Sequence, residues 1–234
     1  TRWQALAALA AIAGTAWLAR GVRSVLAARV YPLYRNLDEG GRASIDKLAT
    51  YEPVSMQGQP PIVWDRAEGF QIMDRWGNRW IDWSSGVMIT NAGHGRREVV
   101  RALQAALRKP LLSSYVFVHE SRAELTRMLQ ALSPAPAGDP SAYQVFLLST
   151  GSEANENAIK LARTYALEKH GPQKRIIVSF RNAFHGRTLG ALSATGQTKF
   201  HQGFEPLLPG FVFAPYNDLE TLDRVWDSSV AAVL

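Results

Sequence analysis

Two short polar segments carry the residue types that could do chemistry in this chain. The first, residues 149–156, follows a hydrophobic run and opens a strong helical pattern. Thr150 and Glu153 have the spacing of a capping box, and Gly151 lets the backbone come close to a ligand. The free N–H groups of the first helical turn, together with the helix dipole, favour an anion such as a phosphate. A capped helix after a strand is also common in α/β proteins without a ligand, so both interpretations stay open.

The second segment is the predicted loop at residues 180–190. Loops at the carboxyl ends of parallel strands bind ligands in α/β sheets, so we expect this loop and the Gly151 turn to face one crevice. Phe184 could cover the face of a flat ring, and His185 could hydrogen-bond or titrate. Arg187 could grip a carboxylate with its planar fork. Core packing for Phe184 and a surface ion pair for Arg187 are the structural alternatives.

Other chemistries lose support from what the sequence lacks. The 234 residues contain no cysteine, which excludes disulfides, thiolate metal ligands and a cysteine nucleophile. Neither a Walker loop nor a dinucleotide glycine fingerprint accompanies the segment 149–156, so a nucleotide is disfavoured. We therefore expect no metal site and a ligand other than a nucleotide.

The net charge of +6 is concentrated at the beginning of the chain. Residues 1–37 hold five arginines and no acidic residue, and the other 197 residues hold 21 basic and 20 acidic side chains. A body so close to neutral offers no electrostatic footprint for a phosphate backbone. We expect no nucleic-acid binding by the globular part.

The opening segment has three interpretations that the sequence leaves open. Residues 3–19 carry no charge and are followed by arginines, which would suit a short membrane anchor with the rest of the chain facing the cytoplasm. As a helix this stretch would span only about 25 Å. A cleaved signal peptide and an alanine-rich helix packed on protein are the alternatives. The expected localisation is cytoplasmic, with or without an anchor.

The elements that must position the two polar segments follow from the spacing of apolar residues. Short runs at 62–64, 70–73 and 79–83 are typical of an antiparallel meander. Farther along the chain, helical faces at 99–107 and 125–132 precede alternating strands and helices, which predict a parallel sheet covered by helices, an α/β fold. The predicted strands of that sheet are 145–148, 176–178, 212–213 and 230–234, with a helix over 152–169. Because the last run ends with the chain, we expect the sheet to be incomplete.

This pattern divides the chain into four parts. Residues 1–35 are an Ala/Arg-rich helical segment, and residues 36–61, with several glycines and prolines, are a loosely structured arm. Residues 62–94 form the small antiparallel part. Residues 95–234 form the first part of the ligand-binding large domain.

Two motifs within these parts resemble a known family. The sequence TGSEANENAIKLAR at 150–163, followed by FHGRTLGALSATG at 184–196, resembles class III aminotransferases, the pyridoxal-phosphate (PLP) family of acetylornithine, ornithine and 4-aminobutyrate aminotransferases. Segments at 77–82, 86–95 and 215–220 are similar to family segments in the same order. The resemblance covers about residues 60–234. It implies the aspartate-aminotransferase-like superfold (fold type I) of PLP-dependent transferases, incomplete at the C-terminus.

The resemblance also implies a cofactor site. Gly151 and Ser152 would hold the phosphate of PLP, in agreement with the helix-terminus argument. Phe184 would stack on the pyridine ring, and His185 is placed with it among the cofactor-binding residues.

Substrate binding is implied at two further positions. Arg187 would bind the carboxylate of the amino-acid donor or of the 2-oxo acid acceptor, usually 2-oxoglutarate. Val87 lies where family members differ in pocket size, and its small side chain is more similar to the aminobutyrate type than to the ornithine type. Family members are homodimers, so a dimer is expected of the full-length protein.

The chain departs from the family at its end. The resemblance implies that the aspartate facing the pyridine nitrogen and the Schiff-base lysine would both follow Leu234. Transamination needs that lysine to attach the cofactor and to move a proton, so we expect no activity from this chain alone. The lysines present, none of which matches that position, are Lys47, Lys109, Lys160, Lys169, Lys174 and Lys199.

Three explanations of this departure stay open. The chain is the N-terminal part of a normal aminotransferase, which we favour because the ligand motifs are intact. Otherwise it is a short protein that binds a phosphate ligand or another chain without catalysis. The third is a membrane-associated interaction protein that uses residues 3–34 and keeps the fold as a scaffold.

Overall fold

The computed structural model describes residues 39–234, except 57–59, 61, 110, 112, 115, 135–138, 140 and 141. The chain divides into two compact units, Thr1–Ser113 and Ser114–Leu234. The division comes later than the expected start of the large domain at residue 95, because the helix Arg97–Leu107 belongs to the first unit. Across the described ranges, no helix is both long and apolar enough to cross a membrane. The proposed anchor at 3–19 lies outside the described residues.

The described part of the first unit begins with a regular helix where the sequence suggests a loose arm. Helix α1 is Glu39–Tyr51, and a 3-10 turn, Val54–Met56, follows it. The two glycines that suggested an arm lie in the first turn of α1, where backbone N–H groups lack intrahelical partners in any helix. The helix ends before Pro53, whose ring disfavours helical backbone at the preceding residue.

The predicted meander is confirmed, with its first strand displaced. Strands β1 (Arg66–Glu68), β2 (Gln71–Met73) and β3 (Arg79–Ile81) form an antiparallel sheet in that order. Residues 62–64 precede this ladder, because a tight turn at Gly69 pairs Glu68 with Gln71 and sets the register. Helix α2 (Arg97–Leu107) follows later in the same unit.

The second unit contains the predicted parallel sheet. Strand β4 (Ile176–Phe180) lies in the centre, between β5 (Phe211–Ala214) and β6 (Val230–Val233), and both pairings are parallel. The helices of this unit are α3 (Glu120–Leu132), α4 (Gly151–His170), α5 (Leu189–Ala194) and α6 (Leu219–Val225), with a 3-10 turn at Thr198–Phe200. The core lies on the two faces of β4. Ile177 packs with Ile159 and Ala194 on one side, and Val178 packs with Ala214 and Val230 on the other.

The prediction of a strand at 145–148 is wrong for the described chain. These residues have no regular secondary structure, and no described strand forms a ladder with them. A strand needs a neighbour to pair its backbone groups, so an apolar run alone does not make one.

The amphipathic helices α2 and α3 form as predicted, yet neither has a buried residue. The predicted face of α3 remains largely open, with Leu132 78% exposed. An apolar helix face is buried only where a partner surface covers it. No such surface covers this face within the described residues.

Candidate functional site

Helix α4 presents a capped N-terminus with free backbone donors. The Thr150 hydroxyl accepts a hydrogen bond from the Glu153 N–H at 3.2 Å, as the predicted cap requires. The N–H groups of Gly151 and Ser152 have no acceptor among the described residues. A Cβ added at Gly151 would meet no atom within 4 Å. The space that a side chain at Gly151 would occupy is therefore open, and the free N–H groups beside it could take an anion.

The predicted loop packs directly against this turn. The backbone N–H of Arg187 donates a hydrogen bond to the Ser152 hydroxyl at 3.4 Å. Gly186 lies so close that a Cβ there would overlap the Ser152 side chain, and its φ of +139° is one that other residues rarely adopt. The structure thus brings Ser152 and the loop together.

Two residues that sequence analysis did not single out complete the contact between α4 and the loop. Asn155 donates from its side-chain amide to the His185 carbonyl at 2.6 Å. The Glu156 carboxylate accepts from the Gly190 N–H at 2.8 Å and from the Ala191 N–H at 3.2 Å. Asn155 and Glu156 lie three and four residues after Ser152, so all three side chains share one face of the helix. That spacing is the signal in the sequence that could have identified this face of α4.

The pKa of Glu156 reflects both burial and these contacts. Burial raises the pKa, but hydrogen bonds from the Thr188 side chain and from the Ala191 and Gly190 N–H groups outweigh burial and lower it overall. The carboxylate therefore stays charged and holds the start of α5 against α4.

His185 is held in one orientation by its surroundings. Its backbone N–H donates a hydrogen bond to the Thr195 hydroxyl at 3.0 Å, and its ring Nε2 lies 3.2 Å from the Ser179 hydroxyl. Ser179 already donates to the Ala194 carbonyl at 2.7 Å, so Nε2 must carry the proton in the bond to Ser179. Burial lowers the pKa of His185, which keeps the ring neutral near pH 7 and leaves Nδ1 as an acceptor.

Phe184 and Arg187 meet on a third side chain. Phe184 is 56% exposed, and its ring lies edge-to-face on Phe200 with centroids 5.8 Å apart. The Arg187 guanidinium carbon lies 4.3 Å from the Phe200 ring centroid. Core packing therefore does not account for Phe184, and Arg187 forms no ion pair with any acidic residue in the described part of the chain. Sequence analysis missed Phe200 because its partners are distant along the chain.

Val87 lies in the first unit, in a turn of unusual backbone. Ser85, Gly86, Val87 and Met88 all have positive φ, and the Val87 side chain is 80% exposed. A β-branched residue adopts this conformation only where the surroundings impose it.

Asp82 imposes that turn. Its carboxylate accepts from the Ser84 N–H at 2.9 Å, from the Ser84 hydroxyl at 2.6 Å and from the Gly86 N–H at 2.7 Å. It also contacts His94 Nε2 at 2.7 Å, and the Asp82 and His94 side chains are 5% and 10% exposed. Hydrogen bonds from Ser84 and His94 lower the pKa of Asp82 well below its usual range.

These features define a class of protein. The second unit places an open, capped helix N-terminus against the loop that follows the central parallel strand, and that loop carries an exposed aromatic ring and an arginine. Helix N-termini favour anions, and loops at this edge of parallel sheets favour ligands. The chain belongs to the class III aminotransferase family, since the family model "Aminotransferase class-III" matches residues 54–234. Class III aminotransferases are PLP-dependent enzymes of fold type I, and the chain forms part of that fold.

Particular relatives support the same assignment. The chain is 39% identical over 190 residues to an acetylornithine aminotransferase of Caldanaerobacter subterraneus subsp. tengcongensis, covering 80% of this chain and 47% of that protein. The ornithine aminotransferase of Toxoplasma gondii ME49 is similar in structure, with a TM-score of 0.74 and 25% identity over 88% of this chain and 47% of that one. A second structure of the Toxoplasma enzyme, with partial occupancy of PLP at its active site, has the same TM-score and identity over 82% and 44% of the two chains. The chain spans about half the length of the curated relatives it matches.

Proposed function

We propose that this chain is the N-terminal part of a PLP-dependent aminotransferase that moves an amino group from an amino-acid or ω-amino donor to a 2-oxo acid such as 2-oxoglutarate. The contact of the open α4 N-terminus with the loop at 184–187 carries the proposal. It joins a phosphate cup, an exposed aromatic ring and an arginine in one unit of the fold.

The residues at this contact fit the cofactor. The N–H groups of Gly151 and Ser152 and the Ser152 hydroxyl bind the phosphate, and the open space over Gly151 receives it. The exposed face of Phe184 covers the pyridine ring, while the fixed ring of His185 holds the loop in place. When bound, PLP supplies an electron sink for the carbanion at the substrate carbon.

Substrate recognition follows from two further side chains. Arg187 binds a substrate carboxylate through its two-pronged guanidinium, and its main chain is already fixed by Ser152. We assign Val87, in the first unit, to the choice of substrate, because family members differ in pocket size at this position. The lysine that carries the cofactor lies outside this chain, so Thr1–Leu234 alone is inactive, and the whole protein works as a homodimer.

The test is to express the whole reading frame that contains this chain with PLP and to record the visible absorption spectrum. We expect a cofactor band that changes when N-acetylornithine, ornithine or 4-aminobutyrate is added and returns with 2-oxoglutarate. A reading frame that stops at Leu234, with no such band, would leave a phosphate-binding or scaffold protein of the same family and would overturn the proposal.

A matched variant tests the phosphate cup separately. Gly151→Ala fills the open space without touching any protein atom, and alanine is favoured over glycine in a helix by about 1 kcal/mol. We expect unchanged or higher thermal stability with at least tenfold weaker binding of PLP. Ser44→Ala, an exposed serine on α1, is the control and should change neither. Equal affinity of Gly151→Ala and the unchanged protein would remove Gly151 from the phosphate site.

A further inference from the structure

We propose that Phe200 is a positioning residue of this site, whose ring holds the Arg187 guanidinium ready for a substrate carboxylate and supports Phe184 beside it. The proposal rests on the proposed function, because it assigns Arg187 to a carboxylate and Phe184 to the cofactor ring. Phe200 is 16 residues beyond Phe184 in the sequence, and none of the motifs singled out above includes it.

The contact with Arg187 carries the proposal. The guanidinium carbon lies 4.3 Å from the Phe200 ring centroid, within the range of a cation–π interaction. The Arg187 N–H is held at the same time by the Ser152 hydroxyl. Backbone and side-chain end of Arg187 are therefore both held before any substrate arrives. A long side chain held in this way loses less conformational entropy when it binds a carboxylate.

The contact with Phe184 joins the same ring to the cofactor residue. The two rings lie 5.8 Å apart with an angle of 75° between their planes. Such edge-to-face pairs stabilise one relative orientation of the rings. Phe200 thus touches both the residue proposed for the cofactor ring and the residue proposed for the substrate carboxylate.

Phe200 itself is fixed by its neighbours. The turn Thr198–Phe200 begins after Gln197, whose side-chain amide donates to the Asn182 carbonyl at 3.0 Å. His201, on the other side, bonds through Nε2 with the Thr195 carbonyl at 2.7 Å. The segment that carries Phe200 is thereby tied to Asn182, just after β4, and to Thr195, just after α5, by contacts that do not involve Arg187.

One further cation shares the ring. Lys199 Nζ lies 4.9 Å from the Phe200 centroid. Lys199 needs a control variant, because loss of the Phe200 ring removes the contacts of both Lys199 and Arg187. Lys199→Met keeps the stem and removes the charge.

The experiment uses the protein of the whole reading frame and two ligands. Pyridoxamine 5′-phosphate carries the phosphate and the ring, and the stable conjugate N-phosphopyridoxyl-L-glutamate adds the carboxylates. We expect Phe200→Leu to weaken the conjugate about two- to fivefold more than pyridoxamine 5′-phosphate, the range of an exposed cation–π contact. Phe200→Tyr keeps the ring and should retain both affinities.

A double-mutant cycle separates positioning from mere structure. If Phe200 acts through Arg187, the extra loss of conjugate affinity seen for Phe200→Leu disappears in an Arg187→Ala background. The same extra loss with and without Arg187 would overturn the proposal. The proposal would also be overturned if Lys199→Met alone lost as much conjugate affinity, relative to pyridoxamine 5′-phosphate, as Phe200→Leu does. The effect would then belong to Lys199.

Fluorination of the ring gives a second test that leaves its shape nearly unchanged and does not depend on Phe200→Leu folding. Phenylalanine with one, two and three ring fluorines at position 200 weakens the attraction of the ring for a cation step by step. We expect a graded fall in conjugate affinity with little change for pyridoxamine 5′-phosphate. A flat series would overturn the proposal. If the unchanged protein binds neither ligand, the proposed function fails instead.

Discussion

At the scale of single residues, two glycines of the candidate site have different surroundings. The space beside Gly151 holds no atom of the described residues, whereas Gly186 lets Ser152 lie directly on the backbone. The first arrangement leaves room for the proposed ligand, and the second allows close packing of the loop on Ser152. Their substitutions should therefore separate binding from stability.

Gly186→Ala should destabilise the protein and weaken PLP binding together. The new methyl group would overlap the Ser152 side chain, and φ at this position is +139°. We expect a loss of about 2–4 kcal/mol in the free energy of unfolding, measured by urea denaturation. Gly203→Ala is the control, since Gly203 also has positive φ but an added Cβ meets nothing there, and it should cost about 1 kcal/mol. Equal losses in the two variants would show that the contact with Ser152 is unimportant.

The lowered pKa of Asp82 predicts that the stability of the first unit depends on pH. The folded pKa lies well below the unfolded value near 3.8, because Ser84 and His94 hydrogen-bond the carboxylate. The stabilisation is therefore complete above the unfolded pKa and is lost as the pH falls through and below about 4. We expect the difference in melting temperature between the unchanged protein and Asp82→Asn to be largest near pH 6 and to shrink toward pH 3. A difference that stays constant over this range would contradict the assignment.

At the scale of elements, one face of α4 organises the site. Ser152, Asn155 and Glu156 each contact the chain between His185 and Ala191, so the helix and the loop are fixed to each other over slightly more than one helical turn. The loop is thereby held at the carboxyl end of β4, where α/β sheets bind ligands. Helix α4 thus presents a capped N-terminus and also supports the loop that carries Phe184 and Arg187.

Glu156→Ala tests this support. Its removal leaves the Gly190 and Ala191 N–H groups without an acceptor, which should cost about 1–3 kcal/mol in the free energy of unfolding. Glu168→Ala changes the same residue type on the exposed side of the same helix and should stay within about 0.5 kcal/mol. Urea denaturation of both variants makes the comparison. Because the folded pKa of Glu156 is lowered, the cost should shrink as the pH falls below about 4.5.

Sequence analysis found the parts of this site that depend on local spacing. The Thr150 cap, helix α4 and the strands β4, β5 and β6 follow from patterns within a few residues, and the structure has all of them. Sequence analysis did not identify Asn155 and Glu156 because their hydrogen-bond partners lie 30 and 34 residues away. The prediction of a strand at 145–148 was wrong because the apolar pattern is local, whereas a strand also needs a paired neighbour elsewhere in the chain.

At the scale of the whole molecule, the chain exposes surfaces that folded domains usually cover. In the described sheet β5 and β6 are both edge strands, and β6 is the apolar sequence VAAV. Phe146 and the α3 residues Leu125, Met128 and Leu132 are also exposed. Unpaired strand edges and apolar faces of this kind favour association.

We therefore expect Thr1–Leu234, purified as such, to self-associate and to unfold without a single cooperative transition. Sedimentation velocity over a range of concentrations and thermal unfolding by circular dichroism make the measurement. Val233→Lys places a charge on the β6 edge, at a side chain already 42% exposed, and should reduce association because a charged edge resists pairing with another strand. Leu167→Lys adds the same charge on an exposed face of α4 and should have a smaller effect. A monomer that unfolds in one cooperative step would show instead that these edges and faces need no cover, and the expectation of an incomplete sheet would be wrong.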